Sequence, residues 1–139
     1  MPTTRRVVAF QGEPGAFSQV AIGQLLSRRA QILPCQSFED VFRRLKEKTA
    51  DAAVIPIENT LAGSVHENYD HLVNFNFKIV GETQVRISHS LIALPGTSFG
   101  GIRQVYSHPV ALSQCLRFFA RNPQLERVPY YDTAGSVKM

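Results

Sequence analysis

The stretch Ser107-His108-Pro109-Val110-Ala111-Leu112-Ser113-Gln114-Cys115 joins a short apolar run to a segment with helical periodicity. Gln104-Val105-Tyr106, directly before it, is typical of a strand, and Ala111 to Arg121 is typical of a helix. Pro109 suits the first helical turn, where a missing N–H costs nothing, so Ser107 is predicted to be the N-cap. The serine hydroxyl, backbone N–H groups and the positive end of the helix would then converge, which favours an anion.

The rest of the chain repeats this strand-to-helix pattern. Further strands are predicted at 6–11, 31–35, 52–57 and 127–131, and further helices at 16–29, 38–45 and 65–74. Ser37 and Ser64 are predicted to begin the second and third of these helices through capping boxes. Pro34 indicates that its strand lies at a sheet edge or is about to end. Strands that alternate with helices predict an α/β fold with a parallel sheet.

A long extended segment follows the third helix. The residues from Lys78 are typical of a strand, and the apolar positions between Val85 and Ala93 mostly alternate. Such a strand would be long enough to pass between two lobes. A further helix is predicted to begin just before Met139, so we expect the chain to be part of a longer protein.

Composition excludes several classes of protein. The chain has 139 residues, of which 44% are hydrophobic and 19% charged, and its net charge of +4 suits an acidic small molecule. We expect no membrane and no nucleic-acid partner, because no apolar run approaches about 20 residues and no basic stripe carries interleaved aromatics. The first six residues lead into too few apolar residues for a signal peptide, so a cytoplasmic location is expected. Cys35 and Cys115 belong to no metal motif and are predicted to be reduced, buried or half-buried thiols.

Small polar residues occupy four junctions at the ends of predicted strands. The junctions are Gly12 to Ser18, Glu58 to Ser64, Ser107 to Gln114, and Asp132 to Ser136. In a parallel α/β sheet such junctions lie at the carboxyl ends of the strands, where ligands bind. We therefore expect the four to face one another and to bind a ligand that carries carboxylates. The alternative is that each junction only caps its own helix.

The side chains at these junctions favour binding over strong acid–base chemistry. No Ser-His-Asp or Cys-His arrangement can be identified. His108 is expected to be structural or to orient a substrate rather than to act as a general base. Glu58 is expected to be a buried partner of backbone amides rather than an acid or base. The remaining histidines lie in no motif and carry no predicted role: His66, His71 and His89.

The junctions and their flanks resemble a known family. The matching segments, in order, are Phe10-Gln11-Gly12-Glu13-Pro14-Gly15-Ala16-Phe17-Ser18, Ile55-Pro56-Ile57-Glu58-Asn59-Thr60-Leu61-Ala62-Gly63-Ser64-Val65, Ile79-Val80-Gly81-Glu82, Ser107-His108-Pro109 with Gln114-Cys115, and Asp132-Thr133-Ala134-Gly135. Together they resemble the prephenate dehydratase family, to which the arogenate dehydratases are close relatives. The resemblance begins at residue 6 and covers nearly the whole chain.

The resemblance implies a two-lobed α/β catalytic domain, similar to a small periplasmic binding protein, with the active site between the lobes. Residues 1–82 would then form the first lobe without its returning strand, and 83–139 the crossover strand and part of the second lobe. The implied reaction converts prephenate to phenylpyruvate for phenylalanine synthesis, without a metal or an organic cofactor. The implied assembly is a homodimer or homotetramer, and L-phenylalanine would act only through a regulatory ACT domain that this chain lacks.

The resemblance also implies roles for individual residues. Asn59, Ser107 and Gln114 match family residues tied to catalysis or substrate binding. Other expected substrate-binding residues lie in the same segments: Gly15, Ser18, Glu58, Thr60, Ser64, His108, Thr133 and Ala134.

One departure from the family pattern limits these expectations. The Thr-Arg-Phe motif, whose threonine is thought to protonate the leaving hydroxyl, does not occur in the chain. We therefore expect the 139-residue chain to be inactive alone and to expose sheet edges. Two other functions stay open: arogenate as the substrate, and a non-catalytic two-lobed module that binds a small molecule.

Overall fold

A three-stranded parallel sheet organises the first part of the chain, and the computed structural model describes residues 5–26 and 30–138. Strands Val7–Gln11 (β1), Gln31–Cys35 (β2) and Ala52–Ala53 (β3) have the order β2-β1-β3. Helices Phe17–Leu26 (α1) and Phe38–Lys46 (α2) connect them. The predicted parallel sheet is confirmed, and β2 lies at its edge, as Pro34 indicated. The predicted end of the first helix at Arg29 lies outside the described residues.

The core of this sheet surrounds β1. Val8, Ala9 and Phe10 have no exposed surface, because neighbouring side chains cover both faces of the strand. Ala9 packs in one cluster with Cys35 and Val41, while Val8 and Phe10 pack on the opposite face. A strand buried on both faces is expected to be a continuous apolar run, and β1 has this pattern.

The third strand is shorter than predicted. Only Ala52 and Ala53 pair as a strand with β1, although the N–H of Val54 still donates to the carbonyl of Ala9 over 3.0 Å. Beyond Val54 the chain leaves the sheet and enters a small antiparallel hairpin, Glu58–Asn59 (β4) and Gly63–Ser64 (β5). The apolar run 52–57 therefore mixes a short strand with a connecting segment.

The next helix begins later than predicted. Helix His66–Phe75 (α3) has Val65 as its N-cap, and no side chain bonds to the cap. Ser64 pairs with Glu58 across the hairpin, so its backbone belongs to β5 and it does not begin the helix. The prediction for Ser37 was correct, because its hydroxyl accepts a hydrogen bond from the N–H of Asp40 over 3.1 Å.

The segment between α3 and the next strand contains no regular structure. Residues 78–94, all of them described, include no helix or strand, so the predicted long strand is not formed. Several of its apolar side chains are exposed, with Val80 97% and Leu94 81% accessible. A strand requires a partner for its N–H and C=O groups, and the part of the chain that the structure describes provides none here.

A second parallel pair follows. The chain divides into two compact units, Met1–Arg86 and Ile87–Met139. In the second unit Gln104–Ser107 (β6) pairs in parallel with Glu126–Pro129 (β7), and Pro109–Gln114 (α4) and Leu116–Arg121 (α5) connect them. Leu112, Phe119 and Leu125 form its core. None of the helices within the described ranges is long and apolar enough to cross a membrane.

The junction after β6 corrects two predictions. Ser107 is the last residue of β6, and its carbonyl accepts a hydrogen bond from the N–H of Tyr130 over 2.8 Å. Its backbone therefore belongs to the sheet, and Ser107 is not the N-cap of the helix. The N-cap of α4 is His108, and Pro109 occupies the first turn as predicted. The predicted helix 111–121 is interrupted at Cys115, where φ is −101° and ψ is 20°.

Asn68 gives a test of how α3 is attached to the first unit. This side chain is fully buried, and its Nδ2 donates to the carbonyl of Pro56 over 2.8 Å. Asn68→Asp would replace the donor by a buried carboxylate beside a carbonyl, and we expect a loss of about 3 kcal/mol or more in the free energy of unfolding at pH 7. Urea denaturation measures this loss, with Asn74→Asp, an exposed change on the same helix, as the control.

The effect of Asn68→Asp should depend on pH. Burial raises the pKa of the new carboxyl above its unfolded value of about 3.9, so the penalty is largest above the folded pKa. It should shrink, relative to wild type at the same pH, as the pH falls and the carboxyl becomes protonated and can donate to Pro56. An equal penalty at pH 4 and pH 7 would contradict this account.

Candidate functional site

The segments that lead to two of the four polar junctions leave the first sheet at one edge. β1 and β3 are parallel neighbours, so the residues after Gln11 and after Ala53 leave the sheet at the same edge. The N–H of Gly12 donates to the carbonyl of Cys35, the last residue of β2, over 3.0 Å. The loop after β1 therefore begins against the end of its neighbour, as the parallel topology requires.

The loop after β1 makes its sharp turns at glycines. Gly12 and Gly15 have φ values of 111° and 97°, which a residue with a Cβ rarely adopts. The N–H of Gly15 donates to Oε1 of Gln19 over 2.7 Å, so a side chain of α1 already bonds this backbone group. No motif in the sequence indicates a role for Gln19. Gly15 is exposed, and Ser18 is half-buried in the first turn of α1.

The hairpin β4–β5 is built around Asn59. Its Oδ1 accepts hydrogen bonds from the N–H groups of Leu61 and Ala62, over 2.9 and 3.0 Å. Such bonds from an Asn side chain to the backbone two and three residues later stabilise a turn. These two bonds hold the amide oxygen of Asn59 against the backbone of the turn. The Nδ2 group therefore lies on the side of the amide that faces away from Leu61 and Ala62.

The other candidates in this hairpin are exposed. Glu58 was expected to be a buried partner of backbone amides, but the structure corrects this: its side chain is exposed, in a two-residue strand that belongs to a small hairpin and not to the buried sheet. Thr60 and Ser64 are exposed as well, and Ser64 pairs with Glu58 across the hairpin. These three side chains are accessible to a ligand, and none of them belongs to the core.

The other two junctions share an edge of the second sheet. Ser107 and Pro129 are paired at the carboxyl ends of β6 and β7, so the residues after each strand leave the sheet together. The carboxylate Oδ2 of Asp132 accepts a hydrogen bond from the N–H of Gly135 over 2.8 Å, which begins the 3-10 turn Gly135–Lys138. Thr133 and Ala134 lie between them and are half-buried.

His108 has a structural role in this junction. Its ring Nδ1 accepts a hydrogen bond from the N–H of Val110 over 3.2 Å, which satisfies one of the N–H groups at the start of α4. This contact gives His108 a structural role at the start of α4. Because α4 has only six residues, its helix dipole is weaker than the predicted longer helix would provide.

Gln114 is hydrogen-bonded to His89, a histidine that lies in no recognised motif. The Nε2 atom of His89 lies 2.8 Å from Oε1 of Gln114, across 25 residues of sequence. Both side chains are half-buried, and Gln114 is the last residue of α4. No spacing rule connects His89 to Gln114, so the sequence contained no signal for this contact.

The two cysteines are thiols, as predicted. Neither forms a disulfide; Cys35 is buried and Cys115 is half-buried. Burial raises the pKa of the Cys35 thiol, the nearby Asp40 carboxylate raises it further, and Arg44 partly opposes the shift. Burial alone raises the pKa of the Cys115 thiol. Both are therefore protonated at neutral pH and poorly suited to act as nucleophiles.

These features define a parallel α/β protein whose polar residues are grouped at the carboxyl ends of its strands, the usual position of ligand sites in this class. The family model for prephenate dehydratase matches residues 8–139. The chain therefore belongs to the prephenate dehydratase family.

Known proteins similar to this chain include enzymes of this family. Arogenate dehydratase 1 of Petunia hybrida is 42% identical over 132 residues, which are 94% of this chain and 31% of that protein. A solved structure described as "GqqA- a novel type of quorum quenching acylases" is 35% identical, with a TM-score of 0.81 over 94% of this chain and 47% of that one.

The solved prephenate dehydratase of Arthrobacter aurescens in complex with L-Phe is 26% identical, with a TM-score of 0.70 over 94% of this chain and 44% of that chain. The chain spans about a third of the curated relative from Petunia. The fold comparison and the family match agree on the α/β architecture.

The Asn59 turn can be tested by amide exchange. Asn59→Ala removes the acceptor of the Leu61 and Ala62 N–H groups, and we expect their exchange with solvent to accelerate about five- to tenfold, because one hydrogen bond contributes about 1 kcal/mol. Asn59→Asp keeps an oxygen at this position and should retain the protection. NMR solvent-exchange measurements distinguish the variants, and equal exchange in Asn59→Ala and wild type would refute the assigned bonds.

The thiols can be tested by their rates of reaction with a disulfide reagent. Because burial raises both pKa values, each thiol should react more slowly at pH 8 than in the unfolded chain, and the rate should increase only at more alkaline pH. Cys115 should react before the more buried Cys35. Cys35→Ser and Cys115→Ser assign the two phases, and faster modification of Cys35 would contradict the order.

Proposed function

We propose that this chain contributes the substrate-binding residues of a hydro-lyase that converts prephenate to phenylpyruvate. The match of the prephenate dehydratase family to residues 8–139 carries the proposal. The polar residues at the sheet edges support it, because the proposed substrate is a dianion and the chain has a net charge of +4.

The proposed chemistry needs few strong acids or bases. The bond between the ring and its carboxylate breaks, carbon dioxide leaves, and the electron pair enters the ring. The C–O bond to the ring hydroxyl breaks with its electron pair, and one proton converts the departing group to water. Aromatisation drives both cleavages, so the protein must mainly orient the ring and supply that proton.

Three side chains are proposed to contact the substrate. Ser107 carries a hydroxyl, and Asn59 and Gln114 carry amide groups whose nitrogens donate. Hydrogen bonds to a charged acceptor are stronger than those between neutral groups, so such donors suit carboxylates. Because the Thr-Arg-Phe motif is not in this sequence, the proton is proposed to come from outside these 139 residues, and the chain alone is proposed to be inactive.

Arogenate is the second candidate substrate. It has an amino group in place of the side-chain keto group, and the same bond cleavages would yield phenylalanine. The 42% identity to an arogenate dehydratase favours it. A third candidate, hydrolysis of an acyl amide, follows from the TM-score of 0.81 to a structure described as an acylase.

We also propose an oligomeric state, a location and an effector for the protein. At full natural length it is proposed to be a homodimer or homotetramer in the cytoplasm. The related structure from Arthrobacter aurescens was solved in complex with L-Phe, which supports L-phenylalanine as an effector acting outside this chain.

A pair of serines provides the test. In the protein at its full natural length, Ser107→Ala should reduce kcat/KM for the true substrate about 10- to 100-fold, since a hydrogen bond to a charged group contributes about 1.5–3 kcal/mol. Ser113→Ala is the matched control: this exposed hydroxyl donates to the Val110 carbonyl on α4, and its loss should change kcat/KM less than twofold.

Substrate and product assays separate the candidates. Phenylpyruvate from prephenate, phenylalanine from arogenate and a carboxylic acid from an N-acyl amide are measured in parallel, with the 139-residue chain beside the full-length protein. Turnover of neither acid by the full-length protein would overturn the dehydratase proposal and favour an acylase or a binding module. Turnover by the 139-residue chain would place the proton donor within this sequence.

A further inference from the structure

Gly135 lies where any side chain would collide with Tyr131. A Cβ atom on Gly135 would lie 2.8 Å from Oη of Tyr131 and 3.0 Å from its Cζ, too close for an unstrained contact. The next neighbour, Cβ of Asp132, would lie at an ordinary van der Waals distance of 3.4 Å. Gly135 does not have a positive φ, so its backbone conformation does not require glycine. What requires glycine at this position is therefore the close approach of Tyr131.

The ring of Tyr131 is held by its neighbours and yet remains accessible. Its centroid lies 4.8 Å from that of Tyr130, with an angle of 43° between the two ring planes, and its hydroxyl end lies against Gly135. Contacts at the ring and at its far end restrict the side-chain torsions. Even so, 62% of the surface of Tyr131 is exposed. A ring that is held in place but not covered presents a preformed aromatic surface to a ligand.

This ring belongs to the polar junction that follows β7. The N–H of Tyr130 donates to the carbonyl of Ser107, so Tyr131 is the first residue beyond that bond, at the carboxyl edge of the second sheet. Gly135 is fixed in the same junction, because its N–H donates to Oδ2 of Asp132 over 2.8 Å. The exposed ring is therefore part of a segment in which substrate-binding residues are expected.

We propose that Tyr131 supplies an aromatic surface for the six-membered ring of the substrate, and that Gly135 is a positioning residue for Tyr131; this rests on the proposed function. The Asp132 carboxylate beside Tyr131 repels the carboxylates of a dianion, so the uncharged ring is the part of the substrate that suits this position. That ring becomes aromatic as carbon dioxide and the hydroxyl leave, so its stacking on Tyr131 strengthens towards the transition state. The contact therefore raises kcat more than it lowers KM.

NMR of the 139-residue chain tests the contact itself, independently of any activity. Wild type should show nuclear Overhauser effects between the Hα atoms of Gly135 and the ring protons of Tyr131. Gly135→Ala should weaken them and shift the ring resonances, because the added methyl group displaces the ring. Gly100→Ala is the matched control, since a Cβ there would have no neighbour within 4 Å, and it should leave these resonances unchanged. Absence of the effects in folded wild type would overturn the proposal.

Single variants test the role of the ring in the full-length protein. Tyr131→Leu should lower kcat for the acid that wild type turns over about two- to tenfold and change KM less than about twofold, as expected for one aromatic contact made mainly in the transition state. The aromatic product should inhibit this variant more weakly than wild type. Tyr131→Phe keeps the ring and should recover most of the loss. Phe99→Leu removes another exposed ring of the same unit, ahead of β6, and should behave as wild type.

A double variant separates positioning from a general structural role. If Gly135 acts by admitting Tyr131, then Gly135→Ala should lower kcat in wild type but cause little further loss when added to Tyr131→Ala. Additive losses, an unchanged kcat in Tyr131→Leu, or a Tyr131→Phe variant as impaired as Tyr131→Leu would overturn the proposal. If full-length wild type turns over neither acid, the proposed function fails and this role of Tyr131 fails with it, while the NMR measurement still decides the contact with Gly135.

Discussion

Strand β1 is hydrogen-bonded along both edges and covered on both faces, and the first unit depends on this double constraint. Its residues pair in parallel with β2 over five positions, from Val7↔Gln31 to Gln11↔Cys35, and with β3 at Val8 and Ala9. Parallel pairing requires each connection to cross over the sheet, which is why helices separate the strands. Both core clusters of the unit include residues of β1, so removing its apolar side chains would disrupt the packing of both layers.

The same parallel geometry decides where polar groups can be concentrated. Every strand of a parallel sheet ends at the same edge, so the loops that follow neighbouring strands meet there without any dedicated motif. The second unit repeats the arrangement with only two strands, where Ser107 and Pro129 end β6 and β7 side by side. Strand order therefore makes the chain leave the sheet at one edge before the Gly12 to Ser18 loop and before the segment that leads to the Asn59 hairpin, and in the second unit it ends β6 and β7 at one edge.

Local sequence patterns predicted those elements whose formation depends on local properties. The apolar run at Val7–Gln11 and the proline at the start of α4 belong to this group. The predicted helix starts at Ser64 and Ser107 failed for a common reason. A serine before a helical run can cap that helix, but it can equally end a strand, and the choice depended on Glu58 and Pro129, the residues that pair with them. The hydrogen bond of His89 to Gln114 was unpredictable in the same way, because it joins residues that no periodicity relates.

The two candidate amides share a feature that neither the sequence motifs nor the family resemblance specifies. Oδ1 of Asn59 accepts from the N–H groups of Leu61 and Ala62, and Oε1 of Gln114 accepts from the ring of His89. In each case protein donors engage the oxygen, so the NH2 group is the end of the amide directed away from those partners. An amide that can turn is an ambiguous ligand for an anion, since one of its two ends repels a carboxylate. Donors that hold the oxygen reduce this ambiguity, so under the proposed function two neutral side chains would favour negative charge without the desolvation cost of burying a cation.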